Sequence, residues 1–260
     1  MGGETTRTAP RSAGAGTGTA QAGSRMGQRL SGLAVGLGLL LFLGGFAWGA
    51  VIYRPYTVPT GSMTPTIDAG DRVLAERVDG ADIHRGDVVV FRDQSWVTNA
   101  NVVKRVVAVG GDTVSCCTNG KLIVNGKQID EPYLPQGSLA ETKKIPTITV
   151  PQGRLFLLGD ERQGSLDSTA HLTDAASGTV ARSAVSARVD AIAWPVKGML
   201  KRPTGFEALG TLSQPGPLRT IVILIGVGAL LVLAGGAYGP VAKLLGGSRS
   251  RTRTEPAGAR

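Results

Sequence analysis

A serine hydroxyl is a poor nucleophile until a neighbouring base removes its proton, and a lysine can be that base only when it is neutral. Three stretches of the chain supply residue types for that chemistry. Ser62 lies in Val58-Pro-Thr-Gly-Ser-Met-Thr-Pro-Thr-Ile67, where the prolines on either side favour a stiff, extended and sharply turned backbone. Lys104 lies in the apolar run Val102-Val-Lys-Arg-Val-Val-Ala-Val109. If it points inward, desolvation disfavours its ammonium form, lowers its pKa and lets it take a proton from a serine. Leu158-Gly-Asp-Glu-Arg-Gln-Gly-Ser-Leu-Asp-Ser-Thr169 follows a strand-like run and is dense in turn formers. Each stretch has an ordinary alternative: a polar loop, a lysine on a solvated strand face, and a capped loop with an Asp–Arg pair.

The elements that must hold these residues are mainly β. Asp87–Phe91, Val102–Val109, Thr147–Val150 and Leu155–Leu158 are rich in β-branched and apolar residues. Leu122–Val124 and Lys127–Ile129 flank Asn125-Gly126, the pair that a type I′ hairpin turn favours. No amphipathic helix stands out. Two charge-free apolar stretches, Leu30–Tyr53 and Thr220–Ala242, are long enough at ~1.5 Å per residue to cross a ~30 Å hydrocarbon core. Ala47 and Gly49 loosely resemble small residues before a signal-peptide cut. The first apolar run nevertheless exceeds the ~7–15 residues of a typical signal-peptide core, so it reads as an anchor.

The net charge of +9 suggests nucleic acid until the charges are located. Arg7, Arg11, Arg25 and Arg29 stand against Glu4 at one end, and Lys243, Arg249, Arg251, Arg253 and Arg260 against Glu255 at the other. A nucleic-acid groove would need that charge in the folded middle, and no helix-turn-helix or RRM pattern is present. Beside apolar spans the basic tails are a topology signal: both ends cytoplasmic, residues 54–219 outside. Arg54 and Arg219, on the outer flanks, soften it. The tails lack large apolar side chains and are expected to be disordered.

Taken together and in order, four blocks resemble the bacterial type I signal peptidases: Val58–Ile67; Arg85-Gly-Asp-Val-Val-Val-Phe91; Val103-Lys-Arg-Val106 with Gly110-Gly-Asp112; and Gly159–Ser168. The closing Asp190-Ala-Ile-Ala-Trp-Pro195 also looks like that family. The extra carboxy-terminal span resembles actinobacterial members. The resemblance implies an antiparallel β-sheet catalytic domain flanked by two transmembrane helices. It divides the chain into a basic tail at 1–29, a span at 30–53, a peptidase domain at 54–200, a linker at 201–219, a second span at 220–242 and a tail at 243–260. The protein would then be a multi-pass protein of the bacterial plasma membrane.

By the same resemblance Ser62 is the nucleophile and Lys104 its general base, with no histidine. Ser165 orients the lysine amine, and Thr60 joins the Ser62 N–H in an oxyanion hole. Tyr56, Val58, Pro59, Met63 and Ile67, with Val102 and Val103, match the pocket lining that admits small residues (Ala-x-Ala) before the cut. Arg105, Asp160, Arg162 and Asp167 support the site. The implied partners are secretory preproteins bearing signal peptides, the lipid bilayer and, as a candidate, the secretion translocon; no nucleic acid, cofactor or metal is implied.

Two departures stand out. The last block ends Asp167-Ser168-Thr169 where the family usually has Asp-Ser-Arg, leaving Arg105 and Arg162 as candidate partners for Asp160 or Asp167, and Glu161 replaces the more usual Asn. Cys116 and Cys117 are adjacent, so a bond between them would be strained across a trans peptide; free thiols or pairing with another chain are open alternatives. His84 and His171 lack partners at metal-ligand spacings and read as a turn and a surface residue. Lys143-Lys144 reads as a solvated loop. Two competing functions remain: a self-cleaving Ser/Lys protease of the repressor type, against which the two spans count, and a non-catalytic membrane-anchored binding domain that would need neither Ser62 nor Lys104.

Overall fold

The computed structural model describes residues 20–135 and 145–247. The tails at 1–19 and 248–260 and the Lys143-Lys144 stretch lie outside the described residues. The chain divides into two compact units, Met1–Phe46 with Val222–Arg260, and Ala47–Ile221.

The first unit is a helix pair. Helix α1 spans Ala20–Ile52 and helix α2 spans Leu218–Gly247. By length and composition, Met26–Ile52 and Leu218–Val241 could each cross a membrane, and little of either is buried. α1 begins inside the stretch expected to be disordered, since extending an existing helix costs far less than nucleating one. Small residues let the helices approach: a Cβ on Gly228 would lie 2.7 Å from the Gly38 carbonyl oxygen. Ser31 Oγ donates to the Gly235 carbonyl at 2.7 Å.

The second unit is two antiparallel sheets. The larger comprises β1 (Tyr53–Thr57), β2 (Arg72–Glu76), β3 (Val88–Phe91), β4 (Val102–Val109), β9 (Arg154–Leu158), β10 (Thr179–Ala181) and β11 (Val185–Trp194), in the order β1-β2-β11-β3-β4-β9-β10, with β12 (Gly198–Met199) on β11. The smaller is β7 (Lys127–Gln128), β6 (Lys121–Val124), β5 (Thr113–Thr118) and β8 (Ile145–Thr149), in that order. The expected hairpin forms, with Asn125 at φ 52° and Gly126 at φ 74° as its turn requires. Cys116 and Cys117 are bonded to each other on β5.

Sequence reading missed β11, the longest strand. Its Arg188 and Asp190 break the apolar run, yet both are buried because they are paired: Arg188 with Glu76, and Asp190 Oδ1 with Arg202 Nη2 at 2.6 Å. Asp190 Oδ2 also accepts from Tyr53 Oη at 2.9 Å, and Tyr53 Oη accepts from the Leu218 N–H at 3.1 Å. Arg85 bridges to Asp112 where β4 turns toward β5. Burial alone would raise the Asp112 carboxyl, but hydrogen bonds from Arg85, the Val109 N–H and Asn125 hold it below its usual range.

Candidate active site

Lys104 occupies the middle of β4, whose backbone is fixed by pairing Val89 with Lys104 on one side and Arg105 with Leu158 on the other. Alternation along a strand sends these two neighbouring cations to opposite faces. Lys104 is only 4 % exposed, and its Nζ donates to Ser62 Oγ at 2.7 Å. The segment carrying Ser62 is held by short-range bonds: Val58 N–H to the Asp71 carbonyl at 2.9 Å, Thr64 N–H to the Gly61 carbonyl at 3.0 Å, and Ile67 N–H to the Met63 carbonyl at 2.9 Å. Thr60 Oγ1 lies 3.4 Å from Ser62 Oγ.

The third stretch closes the site from behind. Glu161 N–H donates to the Ser62 carbonyl at 3.2 Å, and Ser165 N–H to the Glu161 carbonyl at 3.2 Å. Gly159 sits where any side chain would collide: a Cβ there would meet the Ser165 hydroxyl and come within 2.5 Å of the Ser62 carbonyl oxygen. Gly159 is therefore the close-approach residue that lets Ser165, itself buried, pack beside the Ser62 backbone.

Beneath lies a buried ionic layer. Arg105, 2 % exposed, donates Nε to Asp160 Oδ1 at 2.8 Å, Nη2 to Asp160 Oδ2 at 2.6 Å and Nη1 to the Gly86 carbonyl at 2.9 Å, while its guanidinium stacks 4.0 Å over the Tyr133 ring. Burial works against the Arg105 charge, but Asp160 outweighs it and holds the guanidinium above its ordinary value. Arg162 donates Nη1 and Nη2 to the two Glu131 oxygens at 2.6 Å each, and Nε to the Gly159 carbonyl at 3.0 Å. Burial and then Glu131 push the Tyr133 phenol well above its usual range, so it stays a neutral donor to Glu131.

These contacts decide between the candidate arginine partners. Arg105 takes Asp160, and Arg162 takes Glu131. Asp167 is served by Thr169, the residue standing where the family's arginine would be: Asp167 Oδ1 accepts from the Thr169 N–H at 3.1 Å and Thr169 Oγ1 at 2.7 Å, and Oδ2 from the Gly159 N–H at 3.1 Å. Glu131 and Tyr133 were missed. Glu131-Pro-Tyr133 shows an acid beside an aromatic, but nothing local marks either as partner to residues about 30 positions away.

A cleft of about 860 Å³ opens over Ser62 and Lys104. Of the residues expected to line it, Tyr56, Val58, Pro59, Val102 and Val103 do so, with Thr60. Met63 and Ile67 do not. Both are fully buried in the core cluster beneath, with Val73, Val88 and Val189, where their size fills space rather than shaping a pocket. Val97, Asn101, Glu161 and Leu166 complete the wall. Trp96 from the same loop as Val97 stacks on His171 at 4.5 Å, so His171 is more engaged than a surface residue.

The arrangement suits acyl transfer: a hydroxyl hydrogen-bonded to a buried amine, beside an open apolar cleft. Comparison with known proteins points the same way. The family described as "Signal peptidase, peptidase S26" matches residues 31–194. The chain is 33% identical over 193 residues to a signal peptidase I of Mycobacterium tuberculosis, covering 55% of this chain and 66% of that one. It is 37% identical over 142 residues to signal peptidase IB of Staphylococcus aureus, covering 48% and 72%. A crystal structure of a signal peptidase I from Enterococcus faecalis is 26% identical and covers 46% of this chain and 97% of that one, at a TM-score of 0.31.

Proposed function

The chain belongs to the signal peptidase family, peptidase S26, and from that premise we propose that it is a membrane-bound serine endopeptidase that removes signal peptides from secreted preproteins. The observation that carries the reading is the 2.7 Å hydrogen bond between Ser62 Oγ and the buried Lys104 amine. With the amine neutral, Ser62 Oγ attacks the scissile carbonyl and gives its proton to Lys104. The tetrahedral oxyanion is met by the Ser62 N–H and the Thr60 hydroxyl; one such donor is worth roughly 3–4 kcal/mol of barrier. Collapse breaks the C–N bond, and the leaving amine takes the proton back from Lys104. Lys104 then deprotonates a water that hydrolyses the ester, releasing the signal peptide carboxylate and restoring Ser62. Ser165 orients the amine. Tyr56, Val58, Pro59, Val102 and Val103 form shallow apolar ground where small side chains fit and larger ones clash.

We place the β-unit outside the cytoplasmic membrane and both termini inside, with the secretion translocon delivering substrates; the Arg-rich ends beside two apolar helices support that orientation. Detergent-purified protein is expected to process a preprotein with an Ala-x-Ala site and to spare the same preprotein with Phe before the cut. Absence of processing at the Ala-x-Ala site overturns the proposal.

Gly159→Ala is a sharper probe of positioning. Its methyl collides with Ser165 and the Ser62 carbonyl, both held on their own bonds. A displacement of that kind costs about 10²-fold in kcat, with KM little changed. A kcat within about twofold of wild type would show that Ser165 and Ser62 shift without consequence.

A further inference from the structure

The cleft carries charge at both ends that no step above uses. At the dyad end stands Glu161, whose carboxylate accepts from the Gly164 N–H and whose side chain lines the cleft with Gly164 and Leu166. The buried arginines beneath the site are already taken: Arg162 by Glu131 and Arg105 by Asp160. Among the described residues Glu161 forms no ion pair.

At the other end a second hollow of about 440 Å³ shares Pro55, Tyr56 and Asn101 with the cleft and is lined further by Arg54 and Arg92. Arg92 Nη2 donates to Asn101 Oδ1 at 3.4 Å, and neither guanidinium pairs with a carboxylate among the described residues. Through these shared residues the two hollows adjoin, with Arg54 and Arg92 in one and Ser62 and Glu161 in the other, and none of the three charges is ion-paired among the described residues.

The direction of a substrate along this groove follows from the cleft lining. β1 is an edge strand among the described residues, ready to accept an extended peptide. Tyr56, one of the residues that receive the small side chains before the cut in the reading above, also lines the hollow with Arg54 and Arg92, so the residues before the cut lie toward those arginines and those after it toward Glu161.

Resting on the proteolytic reading above, we propose that the groove reads formal charge on both sides of the cut. Glu161 favours a basic side chain just after the scissile bond, and Arg54 with Arg92 favours an acidic one several residues before it.

The test is a peptide set sharing one Ala-x-Ala site, with Lys, Gln or Glu placed either just after the cut or several residues before it. For the wild type, kcat/KM is expected to favour Lys over Glu after the cut by about five- to tenfold, and Glu over Lys before it by a similar factor. Both ratios shrink in about 0.5 M salt because the groove is open. Glu161→Gln brings the first ratio to about one and leaves the second; Arg54→Gln/Arg92→Gln does the reverse. A wild-type ratio of one, or a ratio that survives the matching substitution, overturns the proposal for that end. Failure to cut even the all-Gln peptides strikes the proteolytic reading instead, so the two failures are distinguishable.

Discussion

Lys104→Met is expected to reduce preprotein processing by about 10⁴-fold or more, with Ser62→Ala falling at least as far. At ~1.4 kcal/mol per decade this is about 5.5 kcal/mol of lost transition-state stabilisation. Methionine keeps the unbranched shape of the side chain at a site only 4 % exposed, so the loss reads out the amine and not a cavity. Three companion results make the assignment specific. The double variant is no slower than the worse single one, because nucleophile and base act as a unit. Lys104→Arg is equally dead, since a guanidinium keeps its proton at any working pH. For the wild type, kcat/KM rises with pH as the amine loses its proton, because only the neutral form can act as base. Gel or mass-spectrometric processing assays suffice; a Lys104→Met enzyme that keeps wild-type rates would remove Lys104 from the mechanism.

Asp160→Ala is expected to cost about 3–5 kcal/mol of stability, a fall in Tm of roughly 8–15 °C for a unit of this size. The reason is what it leaves behind. Arg105 is 2 % exposed, lies under the Tyr133 ring and gives both Nε and Nη2 to Asp160. Remove the carboxylate and a guanidinium stays buried with the Gly86 carbonyl, Thr66 and the Tyr133 ring as its near partners among the described residues. Replacing both members with apolar residues, Arg105→Met with Asp160→Leu, is expected to recover a substantial part of the loss, since charges removed as a pair no longer need solvation. Differential scanning calorimetry decides the matter; a Tm change under about 2 °C for Asp160→Ala would show that water or relaxation solvates Arg105.

That Ser62 and Lys104 stand together could be anticipated from the order of short motifs, Ser62 between prolines, Lys104 inside a valine run and Ser165 in a turn-rich loop, and the structure brings the hydroxyl and the amine within 2.7 Å. The strands whose faces alternate or are wholly apolar, such as β3 and β9, were legible too. β11 was not legible as a strand because its buried polar residues are neutralised by partners outside it, Glu76 112 residues before Arg188 and Arg202 12 residues after Asp190. The same non-locality hid Glu131 and Tyr133, and packing places Met63 and Ile67, expected at the cleft, in the core cluster that Val58 and Val103 share. Sequence motifs report that a residue is near a nucleophile, but only packing decides whether it faces the cleft or the core. Thr169 shows the converse: a residue that looked like a lost partner supplies two hydrogen bonds to Asp167 from its own backbone and hydroxyl.

Two buried cations stand side by side on β4, and only the hydrogen-bond register against Val89 and Leu158 decides which of them meets the hydroxyl. A slip of one residue exchanges the faces of a strand. It would bring forward a guanidinium, which cannot act as a base, and send the amine down to the carboxylate below. In the proposed mechanism the choice of base is thus a counting problem. A residue inserted or deleted within β4 ahead of Lys104, or a bulge placed one step early, would on that mechanism silence the protein with every residue of the site still present.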